Sequence, residues 1–327
     1  MIYSITDIDG RLRVLVQGLG GVLHAESSML HVRCSGPLGE QDSIFEPTSV
    51  TELVLVGSLS LSAPALQWCA AYGVVVHYYE RDGWYHGLVA PPTPLTTNPL
   101  SIRQDEELLL ELATTQVATR LRHQALALQM LGRTLHSSVG PTVEHLENLS
   151  AVAERAPARS VLMEIEEAGS LGYWREWRRL LRSAIPGWRM HRRHSRPYKD
   201  VANRVAGFAD GLLARDARLS CHQHGILASA GFYHSDRPEC PALMMDLMEP
   251  FRPLIADIAA FEAIVDAGMG EDEWMEPAAR EGMREDCRAR VFRAYEKVVG
   301  RPWVVDPRLT GRQAVLQSAA AMLQATD

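Results

Sequence analysis

Cysteine is scarce in this sequence, and no two cysteines are separated by only two residues. The five cysteines are odd in number and scattered along the chain: Cys34, Cys69, Cys221, Cys240 and Cys287. This pattern argues against a disulfide framework and against a structural zinc site built from Cys-x-x-Cys pairs. We therefore expect a protein that works in a reducing cytosol.

The sequence also lacks a targeting segment and a long apolar run. Its first residues do not combine a basic start with an apolar stretch, which argues against a signal peptide. The longest apolar region, residues 53–79, is interrupted by Gly57, Pro64 and Gly73, so it does not predict a membrane span. A membrane is therefore not an expected partner.

The sequence also has no excess of positive charge. The chain has 33 lysines and arginines against 40 acidic residues, and its formal net charge is −7. The total charge therefore does not indicate a nucleic-acid-binding protein, and only a local basic patch could do so. The 327 residues are 46% hydrophobic and 22% charged, which is typical of a globular protein with two domains or one large domain.

The hydrophobic pattern divides the chain into two parts of different character. Residues 1–90 contain short β-type segments at 11–17, 22–24, 29–32, 53–56, 74–79 and 84–89, with one helix at 65–72. Residues 91–100 contain four prolines and no charge, which predicts a linker. Residues 101–327 have helical periodicity almost throughout. The predicted fold class is segregated α+β, with a small β-rich domain before a larger all-helical domain.

The helical part is predicted to contain eight helices. Ser160 is the expected N-cap of the third, because its hydroxyl can accept a hydrogen bond from the first turn. The predicted ranges are 105–131, 141–152, 160–181, 201–213, 218–227, 242–265, 277–299 and 311–325.

Residues 231–253 combine a histidine with two carboxylates. His234 lies on a turn-like segment, and a short apolar helix after it carries Asp246 and Glu249, which share one face because they are three residues apart. Pro250 and Pro253 should break this helix. A divalent cation between the carboxylates, with His234 completing its shell, is one interpretation. The alternative is an ordinary surface helix near an unrelated histidine.

A second candidate acid lies on the helix predicted at 160–181. Glu166 shares a helix face with Gly169 and Tyr173 and has apolar neighbours, so it should be half-buried and need a partner. The alternative is a surface helix whose acids pair with Arg175 and Arg178.

Residues 175–199 form a local basic segment with nine arginines or lysines, one acid and interleaved tryptophans. Such a mixture suits a phosphate backbone, with rings available for stacking. The alternative is a charged loop that pairs with the acids Glu271, Asp272, Glu273 and Glu276. Lys199 could contact a phosphate, Asn203 could fix the site, and Arg252 could orient a carboxylate or touch DNA. The candidate DNA-binding residues are Arg189, Arg192, Arg193, Arg196, Lys199, Asn203 and Arg252.

Three segments together resemble the CRISPR-associated adaptation integrases, the Cas-one family. The first is Ile-Glu at 165–166 followed by Tyr-Trp at 173–174. The second is Arg-Pro-x-Lys-Asp-x-x-Asn at 196–203. The third is Gly-Phe-x-His at 231–234 followed by Asp-Leu-Met-Glu-Pro-Phe-Arg-Pro at 246–253, which is the most specific part. The resemblance covers essentially the whole chain, and the order and spacing of the segments carry it.

The resemblance implies a β-sandwich-like N-terminal domain that dimerises and a helical catalytic domain that binds Mg²⁺ or Mn²⁺. The implied metal ligands are Glu166, His234 and Glu249, with Asp246 beside them as a fourth catalytic residue. One imidazole among oxygen ligands favours Mn²⁺. His234 could instead act as a general acid or base.

The implied activity is spacer acquisition in the prokaryotic cytoplasm. A metal-dependent integrase and endonuclease would join the 3′-hydroxyl ends of a prespacer to the CRISPR repeat by transesterification. The implied partners are a second copy of the chain, a Cas-two homodimer in a complex of heterohexameric type, double-stranded prespacer DNA and leader-repeat DNA. An end-trimming nuclease of the Cas-four type is a further candidate partner.

Two acids beside Glu166 depart from the family pattern, which has small residues or glycine in place of Glu164 and Glu167. They suggest an alternative function, a catalytically impaired dimeric DNA-binding scaffold of the same fold. A second alternative is an unrelated metal hydrolase of a small substrate, which would not need the basic segment.

Overall fold

A computed structural model describes residues 1–7, 9–37, 39–94, 105–194, 196–237, 240–276 and 282–325. Strands occupy the N-terminal part of the chain, and helices occupy nearly all of the remainder. The predicted segregated α+β class is therefore confirmed. The division into 1–90, 91–100 and 101–327 stays a prediction, and most of the expected linker (95–100) lies outside the described residues.

The N-terminal strands form one seven-stranded sheet with mixed pairing. Its order is β4-β3-β2-β5-β6-β7, and β1 pairs with the first half of β2. The β2–β5 and β5–β6 pairs are parallel, whereas the others are antiparallel. The strands are β1 (Ile2–Thr6), β2 (Leu12–Glu26), β3 (Met29–Gly36), β4 (Gly39–Phe45), β5 (Val50–Leu61), β6 (Val75–Tyr79) and β7 (Tyr85–Val89).

Successive side chains of β5 point to opposite faces of the sheet, and both faces are buried. Leu53 and Leu55 point into a small core that helix α1 (Ala63–Ala71) covers, whereas Val54 and Val56 join the main core with the helices. Ser62 caps α1 by accepting a hydrogen bond from the backbone of Ala65. The sheet and the helical part are therefore joined by a shared apolar core.

The helical part is built around long helices that pack on one another. These are α2 (Glu106–Thr134), α3 (Gly140–Ala153), α4 (Arg159–Ala184), α5 (Val201–Gln223), α6 (Ala242–Met248), α7 (Ile258–Ala267), α8 (Glu285–Val299) and α9 (Gly311–Gln324). None of the helices in the described ranges is long and apolar enough to cross a membrane.

Four sequence-based predictions about the helices need correction. Ser160 is not the N-cap, because α4 already begins at Arg159 and its N-cap position is occupied by Ala158, which makes no side-chain capping bond. The two helices predicted at 201–213 and 218–227 are one helix, α5. The helix predicted at 242–265 is broken after α6, since Pro250 and Pro253 interrupt it and a π-helical turn, Pro253–Asp257, precedes α7. The helix predicted from residue 277 begins at Glu285, and 277–281 lie outside the described residues.

A buried network of charges links the sheet to the helices. Arg215 in α5 contacts Glu52 of β5, Asp216 and Glu296 of α8 at 2.9–3.1 Å. Arg312 of α9 bonds Glu296 at 2.6 Å. Burial raises the pKa of Asp216, but the two arginines outweigh it and bring that pKa down to about 2. These ion pairs hold α5, α8 and α9 against the sheet.

Candidate metal centre and nucleic-acid interface

Asp246 anchors the loop that carries His234. Its buried carboxylate accepts hydrogen bonds from the backbone amides of Phe232, Tyr233 and His234 at 2.6–2.9 Å. Gly231 allows this close approach, because a Cβ there would lie 2.7 Å from Asp246 Oδ2 and 2.5 Å from the next helix. The short helix α6 therefore fixes the histidine loop through a single side chain.

The same carboxylate orients the imidazole of His234. Nδ1 lies 2.6 Å from Asp246 Oδ1, which leaves Nε2 as the ring nitrogen free to bind a ligand. The side chain is 29% exposed. Burial lowers the pKa of His234, but the hydrogen bond to Asp246 and the charges of Glu249 and Glu166 outweigh it and raise the pKa. Asp246 thus acts as a support for His234 rather than as a free ligand.

Glu166 and Glu249 meet at one cationic group, the guanidinium of Arg120. Arg120 Nη1 bonds Glu166 Oε1 and lies 3.1 Å from Glu249 Oε2. Tyr233 donates a hydrogen bond to the other oxygen of Glu166 at 2.8 Å. Burial raises the pKa of Glu249, but Arg120 and Arg252 outweigh it and lower the pKa, so this carboxylate is ionised. The alternative in which Glu166 pairs with Arg175 and Arg178 does not describe its observed partners.

The three predicted ligands fit a metal by chemistry, although their present arrangement does not enclose one. Two carboxylates and one imidazole form a donor set suited to Mg²⁺ or Mn²⁺. Glu249 is 2% exposed, and its buried Oε2 has the ion pair with Arg120 but no hydrogen bond that meets the usual geometry. Within the described ranges, no three His, Cys, Asp or Glu side chains are grouped so as to hold an ion. The guanidinium of Arg120 takes the position between the carboxylates.

Two cavities flank this group of residues. One, of about 760 Å³, is lined by Arg159, Tyr233, His234 and the three acids Glu164, Glu166 and Glu167. The other, of about 710 Å³, lies between the helical part and the β6–β7 turn, and arginines and aromatic rings dominate its lining. The residues that carry this character are Trp84, Arg120, Trp174, Arg178, Arg192, Arg193, Arg196, Tyr198, Arg237 and Arg252.

The candidate DNA-binding residues fall into two groups. Arg189, Arg192 and Lys199 are exposed, as a phosphate contact requires. Glu271 accepts a hydrogen bond from the backbone of Arg189, whereas the alternative of a loop paired with Glu271, Asp272, Glu273 and Glu276 called for side-chain pairs.

The other candidates are engaged inside the protein. Arg193 and Arg252 share Asp210, with contacts of 2.5 and 3.1 Å. Arg196 pairs with Glu80 and Asp82 and lies over the ring of Trp84. Their charges face the arginine-lined cavity but are partly neutralised.

The side chain of Asn203 is buried and is not accessible to a ligand. It is fully buried, and its side-chain oxygen accepts hydrogen bonds from Arg193 and from the backbone of His194. Its amide nitrogen donates to Asp200 and to the backbone of Arg192. Asn203 therefore shapes the basic loop, as the idea that it fixes the site suggested, and does not itself face a ligand.

A family profile described as CRISPR associated protein Cas1 matches residues 14–297, which is most of the chain. The chain belongs to the Cas1 family. This is the Cas-one family that the motifs resemble, so the match bears out the resemblance.

The curated Cas1 relatives include proteins named as fusions with Cas4 and proteins named as Cas1 alone. A protein of Rhodospirillum rubrum named CRISPR-associated exonuclease Cas4/endonuclease Cas1 fusion is 25% identical over 79% of this chain and 46% of its own length. CRISPR-associated endonuclease Cas1 1 of Thermus thermophilus is 31% identical over 79% of this chain and 78% of its own length. The chain spans about half the length of the fused relatives.

Solved structures show the same fold at low identity. A casposase bound to integration product has a TM-score of 0.77 and 17% identity over 95% of this chain and 89% of its own. A Cas1 protein from Thermotoga maritima has a TM-score of 0.73 and 17% identity over 95% and 97%. A Cas6-RT-Cas1–Cas2 complex has a TM-score of 0.73 and 19% identity over 95% of this chain and 34% of that one.

Two residues of the site were not found by sequence reasoning. Arg120 lies in α2, 46 positions before Glu166, inside a helix with no motif. Tyr233 occupies the variable position of the Gly-Phe-x-His segment, where a phenol beside a histidine gives no signal by itself. Their roles depend on contacts that only the folded chain creates.

Proposed function

We propose that this Cas1-family chain is the metal-dependent integrase and endonuclease of CRISPR adaptation. It joins the 3′-hydroxyl ends of a prespacer to the CRISPR repeat. The observation that carries the proposal is the meeting of Glu166 and Glu249 at one cationic group, near His234 and next to an arginine-lined cavity. The curated relatives named endonucleases and the fold shared with a casposase bound to integration product support it.

Each residue of the site has a distinct task in this proposal. Glu166, Glu249 and Nε2 of His234 would hold Mg²⁺ or Mn²⁺, which supplies charge stabilisation at the reacting phosphate. Asp246 fixes the imidazole tautomer by its bond to Nδ1. Tyr233 orients the Glu166 carboxylate. Arg252, bonded to Glu249 at 2.6 Å, adds positive charge beside the ligand.

The reaction is a phosphoryl transfer that balances without a further reagent. The prespacer 3′-oxygen forms a bond to a phosphorus of the repeat strand. The bond from that phosphorus to the strand's own 3′-oxygen breaks. The attacking hydroxyl gives its proton to solvent, and the leaving 3′-oxygen takes up a proton from solvent to become a 3′-hydroxyl. Catalysis then rests mainly on positioning and on neutralising the charge that develops on the phosphate oxygens.

The proposed partners follow the same relatives. Cas2 is proposed because a chain of a Cas6-RT-Cas1–Cas2 complex has the same fold as this protein. A Cas4-type trimming nuclease is proposed because some relatives are fusions of Cas4 and Cas1. A second copy of the chain, prespacer DNA and leader-repeat DNA complete the proposed assembly.

A joining assay tests the function directly. Purified protein and its Cas2 partner should join a fragment with 3′-hydroxyl ends to a supercoiled plasmid carrying the array in Mn²⁺ or Mg²⁺, and EDTA should stop the reaction. A fragment with 3′-deoxy ends is the matched control, because it binds the same surface and lacks the nucleophile. Salt-dependent binding without joining under either ion would favour the impaired scaffold.

The exposed basic residues should control the salt dependence of DNA binding. We expect the variant Arg189→Gln/Arg192→Gln/Lys199→Gln to flatten the slope of log affinity against log salt by about 2 to 3, since each phosphate contact contributes about 0.9. Binding isotherms between about 50 and 200 mM salt would measure it. Arg308→Gln is the surface control, because Arg308 is exposed and does not line the cavity. An unchanged slope in the triple variant would remove this surface from the DNA path.

A further inference from the structure

Arg120 is a resident cation of the candidate metal centre. Its side chain is 11% exposed, and it reaches from α2 to carboxylates on α4 and just after α6. Its Nε is buried and has no hydrogen-bond partner, so the guanidinium is held by charge rather than by a complete set of hydrogen bonds. The unused Nε donor leaves this side chain able to bond a further acceptor if its position changes.

Arg120 and a divalent cation would compete for the same oxygens. The guanidinium contacts Glu166 Oε1 and Glu249 Oε2, and those two carboxylates are the proposed metal ligands. Two cations on shared oxygens repel each other strongly in a buried site, where the effective dielectric constant is far below that of water. Both cannot keep their full contacts at once.

The two cavities give each cation its own side of the site. Glu166 and His234 line the 760 Å³ cavity, whereas Arg120 lines the 710 Å³ cavity with the other arginines. A metal ion can reach Glu166 and His234 from the first cavity, and Glu249 lies behind them at the Arg120 guanidinium, which can turn into the second cavity. There it would meet a phosphate, the natural partner of a planar guanidinium.

We propose that Arg120 holds Glu166 and Glu249 together until a divalent cation binds, and that it is then displaced into the arginine-lined cavity towards the DNA phosphate. The displacement couples metal binding to substrate binding. This inference rests on the proposed function and names a residue that tunes the metal affinity of the same site.

The test compares Mn²⁺ binding to wild type, Arg120→Gln and Arg122→Gln by calorimetry. Arg122 is the matched control, since it lies two residues away on α2 and pairs with Glu154 on the surface. We expect Arg120→Gln to bind Mn²⁺ about tenfold more tightly, which corresponds to about 1.4 kcal/mol. Its Tm in EDTA should be lower than that of wild type, and saturating Mn²⁺ should close most of the gap.

A folded Arg120→Gln protein with equal or weaker Mn²⁺ affinity would overturn the inference and leave the proposed function standing. Mn²⁺ binding by wild type no stronger than by His234→Ala would remove both. If Arg120→Gln does not fold, a wild-type crystal soaked in Mn²⁺ decides, because anomalous scattering locates the ion. A guanidinium that still contacts both carboxylates beside bound Mn²⁺ contradicts the displacement, and one that has left them supports it.

Discussion

Replacing Glu166 by glutamine is expected to lower the rate of DNA joining by more than about 100-fold. Losing a residue that only supports a metal ligand typically lowers activity by about 10- to 100-fold, and losing a ligand itself should lower it further. The carboxamide keeps the size and the bond from Tyr233, but it loses the negative charge that a divalent cation needs. The fold should survive, because Glu166 lies at the edge of a cavity and not in the apolar core.

Joining of a labelled fragment to plasmid DNA in Mn²⁺ measures this effect. Glu164→Gln is the matched control: it makes the same chemical change two residues earlier on α4, where the side chain is exposed and makes no contact with Arg120. That control should join DNA at the wild-type rate or faster. Asp246→Asn should fall between the two, since it weakens the orientation of His234 without removing a ligand. A Glu166→Gln enzyme as active as Glu164→Gln would contradict the metal centre.

The features of this site that depend on neighbouring residues could be predicted from the sequence. Helical spacing placed Asp246 in a short helix and Glu249 at its end, where the structure has Glu249 as the C-cap of α6, and the two prolines predicted the break that follows. The half-buried state of Glu166 and its need for a partner also followed from its apolar neighbours. Each of these features depends on residues close together in the chain, where spacing and propensity are informative.

Features that depend on distant partners could not be read in the same way. Arg120 contacts Glu249, which is 129 positions later in the chain, and helical spacing gives no information about contacts between residues so far apart. Asn203 is a candidate DNA-binding residue in the Arg-Pro-x-Lys-Asp-x-x-Asn segment, yet it is fully buried and bonded to the basic loop. The helices predicted at 201–213 and 218–227 are one continuous helix, whose buried Arg215 pairs with acids that are distant in the chain.

The largest effect on stability is expected from Arg215→Met. At neutral pH this substitution should lower the free energy of unfolding by about 3 to 5 kcal/mol, which is usual when one partner of a buried ion pair is removed. Arg215 is 0% exposed and contacts Glu52, Asp216 and Glu296 at once. Methionine fills similar volume, so the loss comes from three acids left with too little positive charge. Arg301→Met is the control, because its pair with Glu262 is partly exposed and should contribute at most about 1 kcal/mol.

The cost should shrink as the pH falls, and this dependence separates charge from packing. In wild type the pKa of Asp216 lies at about 2, below its ordinary value, so its stabilising contribution is complete above the ordinary pKa and is lost as the pH falls towards 2. In Arg215→Met the first of the two arginines that lower this pKa is gone and only Arg312 remains, so protonation at a higher pH than in wild type relieves the repulsion among the acids. Urea unfolding of both proteins at pH 7 and pH 4.5 measures the difference. A destabilisation that is the same at both values would mean that Arg215 acts through volume, and the network would not then be what binds α5 to the sheet.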